Sequence, residues 1–139
     1  MSEPRRNTKS ARDFAWWCRV DIGDEFPLAT DKGLTGINSD DGLDGTDLVN
    51  YGLEQVGLPT KPNMSRLFAF VSTGPLLTTE VALVTPGALL FASNYLGIVT
   101  NKSLVTVEPY GRFYRTIINT DPLALIRWTS AYMYPGMTK

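Results

Sequence analysis

Residues 40–59 read Asp-Asp-Gly-Leu-Asp-Gly-Thr-Asp-Leu-Val-Asn-Tyr-Gly-Leu-Glu-Gln-Val-Gly-Leu-Pro. They begin as an acidic loop broken by glycines and continue as a predicted helix, because four apolar residues share one face at 3.6 residues per turn: Leu48, Val49, Leu53 and Val56. We expect Thr46 or Asp47 to cap its start, and Gly57 followed by Pro59 to end it. A loop leading onto a helix N-terminus is where many enzymes hold a nucleophile, since the helix dipole favours an anion there.

The composition describes one globular domain that contains no histidine. A length of 139 residues fits one domain, and 43% apolar against 19% charged residues excludes a disordered chain. A net charge of −1 and a pI near 5.3 give no basis for a nucleic-acid partner. The single cysteine, Cys18, excludes an intrachain disulfide, and the lack of histidine excludes imidazole as a base or metal ligand.

The charges are unevenly distributed along the chain. Five cations lie near the beginning: Arg5, Arg6, Lys9, Arg12 and Arg19. Eight of the fourteen acidic residues lie between Asp21 and Asp47. We interpret these as a solvated basic arm and a solvated acidic loop, the alternative being an arm that docks onto an acidic partner. The acids at 40, 41, 44 and 47 lack the ligand spacing of a calcium loop, so we predict no metal site and no cofactor.

The N-terminal region divides into an arm and a helix. Residues 1–9 are polar and lack the apolar core of a secretory signal, so we expect a flexible or partner-ordered arm before a single domain of residues 10–139. A Ser-x-x-Asp pattern from Ser10 predicts a helix that extends to about residue 22. Cys18 shares a face with aromatic residues there, so we expect a small buried hydrophobe rather than a reactive thiol. Trp16 is predicted to be either a surface anchor or part of a broad buried face.

The C-terminal half is predicted to be mainly strands. Residues 81–101 carry no charge and are long enough to span a membrane, but Pro86-Gly87 and Ser93-Asn94 divide them into segments of strand length. A short helix is predicted within residues 61–72, followed by strands at residues 88–92, 96–100, 104–108, 112–119 and 123–129. The predicted fold class is therefore α+β, with N-terminal helices packed on a C-terminal antiparallel meander of about five strands and no membrane span.

Four short motifs resemble motifs that occur in the same order in the NlpC-type papain-like cysteine peptidases, a family of cell-wall endopeptidases. Residues 41–49 are similar to the family's Asp-Gly-Phe-Asp-Cys-Ser-Gly-Leu-Val signature, and residues 51–59 to the helix that follows it. Residues 86–91 resemble its Pro-Gly-Asp-Leu-Val-Phe strand, and residues 95–99 its His-Val-Gly-Ile strand. The resemblance covers roughly residues 10–129 and implies a papain-like fold.

The chain departs from the family pattern at the catalytic positions. The family's nucleophilic Cys falls on Gly45, its Ser on Thr46, its Gly on Asp47, its base His on Tyr95, and the Asp of its third motif on Ala88. The family's reaction needs a thiolate activated by a neighbouring imidazole. Glycine has no side chain, and a phenol with an ordinary pKa of about 10 is a poor base near neutral pH.

The resemblance therefore implies an inactive relative with no catalytic residue, in which Gly45, Thr46 and Tyr95 are vestigial positions. We expect the Tyr95 ring to fill the space that the missing thiol leaves at Gly45. A cleft that stays open and holds a glycan or peptide is the alternative.

Inactive domains of this kind resemble minor proteins of bacteriophage tail tips. The resemblance implies a non-catalytic structural or interaction protein of the virion, made in the host cytoplasm without a signal peptide and placed at the distal tail or baseplate beside hub, distal-tail or neighbouring minor tail proteins. The expected partner surface comprises Arg5, Arg6, Lys9, Arg12, Trp16, the loop 28–38 and the tail 132–139 with Tyr132 and Tyr134. An equally supported interpretation is that this tail is a last strand folded onto the core.

Two alternative functions remain from the sequence. One is a module that binds peptidoglycan without cleaving it. The other is a peptidoglycan hydrolase whose chemistry has moved to a carboxylate pair drawn from Asp44, Asp47, Glu54 and Glu108. Nothing in the sequence places two of these acids at a working separation, and homo-oligomer and hetero-assembly are equally open.

Overall fold

A computed structural model describes residues 3–21, 45–92, 95–100, 104–110, 113–119 and 128–138. Its helices are α1 (Ala11–Asp21), α2 (Gly45–Val56), α3 (Met64–Val71) and α4 (Thr79–Ala82). Its strands are β1 (Leu76–Leu77), β2 (Leu89–Ala92), β3 (Tyr95–Val99), β4 (Leu104–Tyr110), β5 (Phe113–Asn119) and β6 (Ser130–Tyr132). The described part of the chain contains no helix long and apolar enough to cross a membrane.

The strands form one sheet in the order β1-β6-β2-β3-β4-β5, and every neighbouring pair is antiparallel. Strands β2 to β5 make a meander in chain order, as the alternation and turn residues predict. The chain then returns to the other side of β2 with β6. The fold is thus α+β.

The predicted fifth strand, residues 123–129, lies mostly outside the described part of the chain, and its last two residues are not in a strand. Residues 120–127 lie outside the described part of the chain, and the strand beside β2 begins at Ser130. Thr129 precedes it and donates from both its backbone N–H and its hydroxyl to the Phe91 carbonyl, at 2.8 and 2.9 Å. These bonds fasten the start of β6 to β2.

The two faces of the sheet carry different cores, because side chains alternate between the faces along each strand. The larger core joins α1, α2 and α3 to one face of β2 and β3, and includes Phe14, Trp17, Leu48, Leu53, Leu67, Leu89, Phe91, Leu96 and Ile98. The smaller core joins α4 to the opposite face, and includes Ala82, Ala88, Leu90, Val99 and Ala131. All four apolar residues of α2 that predicted the helix are fully buried.

Helix α2 ends as its sequence predicts. Gly57 adopts the left-handed region at φ +80°, which L side chains disfavour. Its N–H donates to the Glu54 carbonyl at 3.2 Å, and the N–H of Leu58 donates to the Leu53 carbonyl at 2.9 Å. This pair of bonds is the Schellman motif, which satisfies two of the carbonyls that a helix end leaves without partners.

The N-terminal arm satisfies the next two carbonyls of α2. The N–H groups of Asn7 and Lys9 donate to the carbonyls of Gln55 and Val56, both at 2.9 Å. Arg6 adds a side-chain hydrogen bond to Gln55 at 2.9 Å. Within the arm of residues 1–9 that was expected to be flexible or partner-ordered, Arg6, Asn7 and Lys9 are therefore held by the chain's own central helix.

The two ends of the chain also meet. Ser10 and Thr138 form a parallel bridge, in which the Thr138 N–H donates to the Lys9 carbonyl at 2.7 Å and the Ala11 N–H donates to the Thr138 carbonyl at 2.6 Å. The C-terminal residues thus hold the end of the arm in addition to α2.

Tyr134 belongs to the core and not to a partner surface. It is 1% exposed, and its hydroxyl donates to the Pro59 carbonyl. Its ring lies 5.2 Å from that of Phe70, and burial raises the pKa of its hydroxyl. The interface role predicted for Tyr134 is wrong, because the tail around it folds onto the core, as the alternative interpretation of the tail predicted.

We predict that deleting residues 1–9 lowers the free energy of unfolding by about 1–2 kcal/mol, since three backbone hydrogen bonds are lost at about 1 kcal/mol each and ordering the arm has an offsetting entropic cost. Chemical denaturation measures this change. A matched deletion of residues 1–4 retains Arg6, Asn7 and Lys9 and is expected to shift stability by no more than about 0.5 kcal/mol. Equal stability of the two deletions would show that the arm does not support α2.

Candidate functional site

Gly45 and Thr46, two of the three positions that the sequence resemblance predicts to be vestigial, begin helix α2. The helix starts at Gly45, so Thr46 and Asp47 lie in its first turn and not at the cap where they were predicted. The residue before Gly45 lies outside the described part of the chain. Thr46 is 2% exposed, which makes it one of two buried polar residues in the described part. The position corresponding to the family's nucleophile is therefore placed at a helix N-terminus, where the dipole favours an anion.

Tyr95, the third position that the resemblance predicts to be vestigial, begins strand β3. Tyr95 pairs with Ala92 across the short β2–β3 connection, and β3 then carries Leu96 and Ile98 into the core with the helices. Ala88, the position of the third motif's acid, is fully buried just before β2, where its carbonyl accepts from the Val99 N–H at 3.0 Å. Ala88 therefore occupies a site where a carboxylate would be desolvated.

Helix α2 and strand β3 share one hydrophobic core. Leu48 and Val49, in the first turns of the helix, are in the same buried cluster as Leu96 and Ile98. The prediction that the strands pack on the central helix is confirmed by this cluster. The prediction that the Tyr95 ring fills the space beside Gly45 concerns a side chain outside the described part of the chain.

The single thiol is held inside the helix–helix contact. Cys18 is fully buried on α1, and its Sγ lies 3.7 Å from the Leu48 carbonyl, to which it donates. A reactive cysteine needs exposure and a partner that stabilises the thiolate. The prediction that Cys18 is a small buried residue is confirmed.

Gly52 sets how closely α1 approaches α2. A Cβ at this position would lie 2.5 Å from Cys18 Sγ and 2.8 Å from Cδ1 of Phe14, which is closer than side-chain contacts allow. Glycine at position 52 therefore lets the backbone of α2 pack directly against side chains of α1. This role of Gly52 was not predicted from the sequence, in which the only signal for it is a glycine within a helical pattern.

The acidic residues proposed for relocated chemistry are not brought together in the described part of the chain. Asp44 lies outside that part, as do most residues of the acidic loop. Glu54 is exposed on α2, and the backbone of Glu108 pairs with that of Arg115 in the β4–β5 ladder. Among the described residues, no group of three His, Cys, Asp or Glu side chains is arranged to hold a metal ion.

The predicted interface residues have different surroundings. Arg5, Lys9 and Arg12 are exposed. Arg6 is also exposed, but its guanidinium lies 4.6 Å above the Trp17 ring in a cation–π contact.

Two predicted interface residues are aromatic and partly buried. Trp16 packs edge-to-face on Trp17, with the ring centroids 5.0 Å apart. Tyr132 lies in β6, with its ring 6.2 Å from Phe68 and 6.4 Å from Phe91. The predicted loop 28–38 lies outside the described residues.

Comparison of the chain with protein-family models, with curated proteins and with solved structures gave no match. The similarity to the cell-wall peptidases therefore depends on the four sequence motifs and their order alone.

We predict that Gly52→Ala lowers the free energy of unfolding by about 1–2 kcal/mol, because overpacking at about 1–3 kcal/mol outweighs a helix-propensity gain of about 1 kcal/mol. Denaturant melts of Gly52→Ala, Cys18→Ala and the double variant measure the coupling. Removal of the sulfur makes room for part of the new methyl group, so we expect a favourable coupling of at least about 0.5 kcal/mol. A Gly52→Ala variant as stable as the parent chain would show that the two helices do not approach this closely.

Proposed function

We propose that this chain is a non-catalytic structural or interaction domain, built on a degenerate NlpC-type papain-like peptidase fold. We further propose that it is a minor component of a bacteriophage tail tip or baseplate, where it contacts hub, distal-tail or other minor tail proteins. Its localisation would then be the virion.

The observation that carries the proposal is the chemistry of two positions. Gly45 and Tyr95 stand where the family has its thiol and its imidazole, in a chain that contains no histidine. Without a thiolate and a base at hydrogen-bond distance, the family's acyl-transfer reaction has neither a nucleophile nor a proton acceptor. The burial of Cys18 supports the same conclusion, since the one thiol of the chain is occupied by the α1–α2 contact.

The order of the structural elements also supports the proposal. The motif at residues 41–49 leads into α2, the motif at 86–91 leads into β2, and the motif at 95–99 coincides with β3. The helix and the two strands share one core. A scaffold that keeps its packing while its reactive positions change fits a role in which surface, and not chemistry, is retained.

The first test is enzymatic. Purified chain incubated with peptidoglycan is expected to release no soluble fragments, because the catalytic pair is absent. An active member of the peptidase family serves as the positive control. Fragments released by the parent chain and lost in Asp44→Asn would overturn the proposal in favour of relocated carboxylate chemistry. Co-sedimentation with intact sacculi without cleavage would favour the cell-wall binding alternative.

The second test is compositional. Phage particles purified from cells that produce this chain are expected to contain it at a fixed copy number in the tail fraction, as measured by quantitative mass spectrometry. Its absence from assembled particles would contradict the virion assignment while leaving the lack of catalysis in place.

A further inference from the structure

A groove of about 590 Å³ lies beside helix α3 and the loop that precedes it. Two cationic residues, Lys61 and Arg66, line it together with the Phe70 ring, Asn63, Thr60 and Thr73. Its lining within the described part of the chain contains no acidic residue. The groove therefore combines positive charge with an aromatic wall.

The loop side of the groove is fixed to the central helix. The Asn50 side chain on α2 contacts Lys61 twice: its Nδ2 donates to the Lys61 carbonyl at 2.6 Å, and its Oδ1 accepts from the Lys61 N–H at 3.1 Å. At the start of α3, Asn63 Oδ1 accepts from the Arg66 N–H at 2.9 Å as an N-cap. Both cationic residues thus have backbones held by side-chain hydrogen bonds.

The aromatic wall is supported from behind. Phe70 lies 5.2 Å from the buried Tyr134 ring, which is itself anchored to Pro59. The Lys61 ammonium lies 3.9 Å from the centroid of the Phe70 ring, in a cation–π contact. The position of this charge is therefore set before any ligand binds, which reduces the entropic cost of binding.

We infer that this groove binds an acidic segment of a partner protein, an extended peptide that places carboxylates on Lys61 and Arg66 and an apolar side chain against Phe70. A guanidinium matches a carboxylate with two parallel hydrogen bonds, and the ring offers apolar area beside it. Charge complementarity identifies the occupant, because two cations face a lining without acids. A polynucleotide fits less well, since the chain has a net charge of −1 and eight acids between residues 21 and 47.

This inference uses neither Gly45 nor Tyr95, so it can fail while the proposed function stands. The reverse also holds, because a catalytic chain could still bind an acidic peptide at this groove. Peptide affinity is measured separately from peptidoglycan cleavage and particle composition. Failure of the groove inference is therefore distinguishable from failure of the proposed function.

The experiment uses the full chain and a small set of fluorescein-labelled peptides that alternate Asp or Glu with Phe or Leu. Fluorescence anisotropy measures their affinity at low salt and at about 0.3 M salt, where screening weakens ion pairs. Lys61→Glu and Arg66→Glu are each expected to weaken binding by roughly tenfold, as loss of a charge-assisted hydrogen bond predicts. Arg19→Glu is the matched control: it makes the same charge change at an exposed site on α1 and is expected to alter affinity by less than about twofold.

Several results would overturn the inference. They are no binding by any acidic peptide at low salt, equal weakening by Arg19→Glu, and equal affinity for peptides in which Asn and Gln replace the acids. Displacement of the peptides by inorganic phosphate or by single-stranded DNA at lower concentration would also overturn it, in favour of a phosphate site. If charge reversal lowers the folded fraction seen by circular dichroism, the peptide affinities of Lys61→Gln and Arg66→Gln are measured instead, because these variants remove the cation without adding a negative charge.

Discussion

The close approach of helices α1 and α2 is the constraint on which the rest of the structure depends. At Gly52 the backbone of α2 meets the Cys18 sulfur and the Phe14 ring, with no room for a methyl group between them. This contact buries one side of α2 against α1 and leaves Leu48, Leu53 and Val56 for the core shared with the sheet. Any change that separates the helices would also move the first turn of α2, where the residue in the place of the family's nucleophile lies.

The two ends of α2 have different roles. At its C-terminal end the last four carbonyls all have partners, two from the Schellman motif and two from the N-terminal arm. The C-terminal residues add the Thr138 bridge and the hydrogen bond from Tyr134 to Pro59. At its N-terminal end the helix begins at Gly45, and the residue before it lies outside the described part of the chain.

Local patterns in the sequence were sufficient for much of the fold. The apolar spacing of Leu48, Val49, Leu53 and Val56 predicted α2, and Gly57 with Pro59 predicted its end, because both signals act within a few residues. Strands β2 to β5 followed from alternation between turn residues. The α+β class follows from those elements alone.

Features that depend on contacts distant in the chain could not be predicted. The return of β6 to β2 and the pairing of β1 with β6 join segments far apart in sequence, and no local pattern specifies them. The arm appeared flexible because its polar residues show no periodicity, yet its backbone N–H groups match carbonyls at the end of α2. Asn7 and Lys9 reach those carbonyls with φ near +60°, a conformation that is uncommon for residues other than glycine.

The site was predictable only in part. Family-like motifs placed Gly45 and Tyr95 at the starts of a helix and a strand, and both elements begin at those residues. The role of Gly52 was missed because it depends on which surfaces meet in three dimensions. For the same reason the sequence left the tail with Tyr134 open between an interface and a strand folded onto the core. The cationic groove was missed for the same reason, since Lys61 and Arg66 are separated by an N-cap whose geometry only the structure displays.

The central claim is that Gly45 and Tyr95 occupy the two sides of a former catalytic cleft. Cysteine cross-linking tests it most directly, by combining Gly45→Cys with Tyr95→Cys and treating the folded chain with a thiol cross-linker that spans about 5–8 Å, slightly beyond disulfide reach. Cys18 is buried and present in every variant. The control pairs Gly45→Cys with Thr85→Cys, in the turn before β2, beside the opposite end of β3. The account predicts an internally bridged monomer, mapped by mass spectrometry, for the first pair and none for the control. No bridge in the first pair, or equal bridging in both, would contradict it.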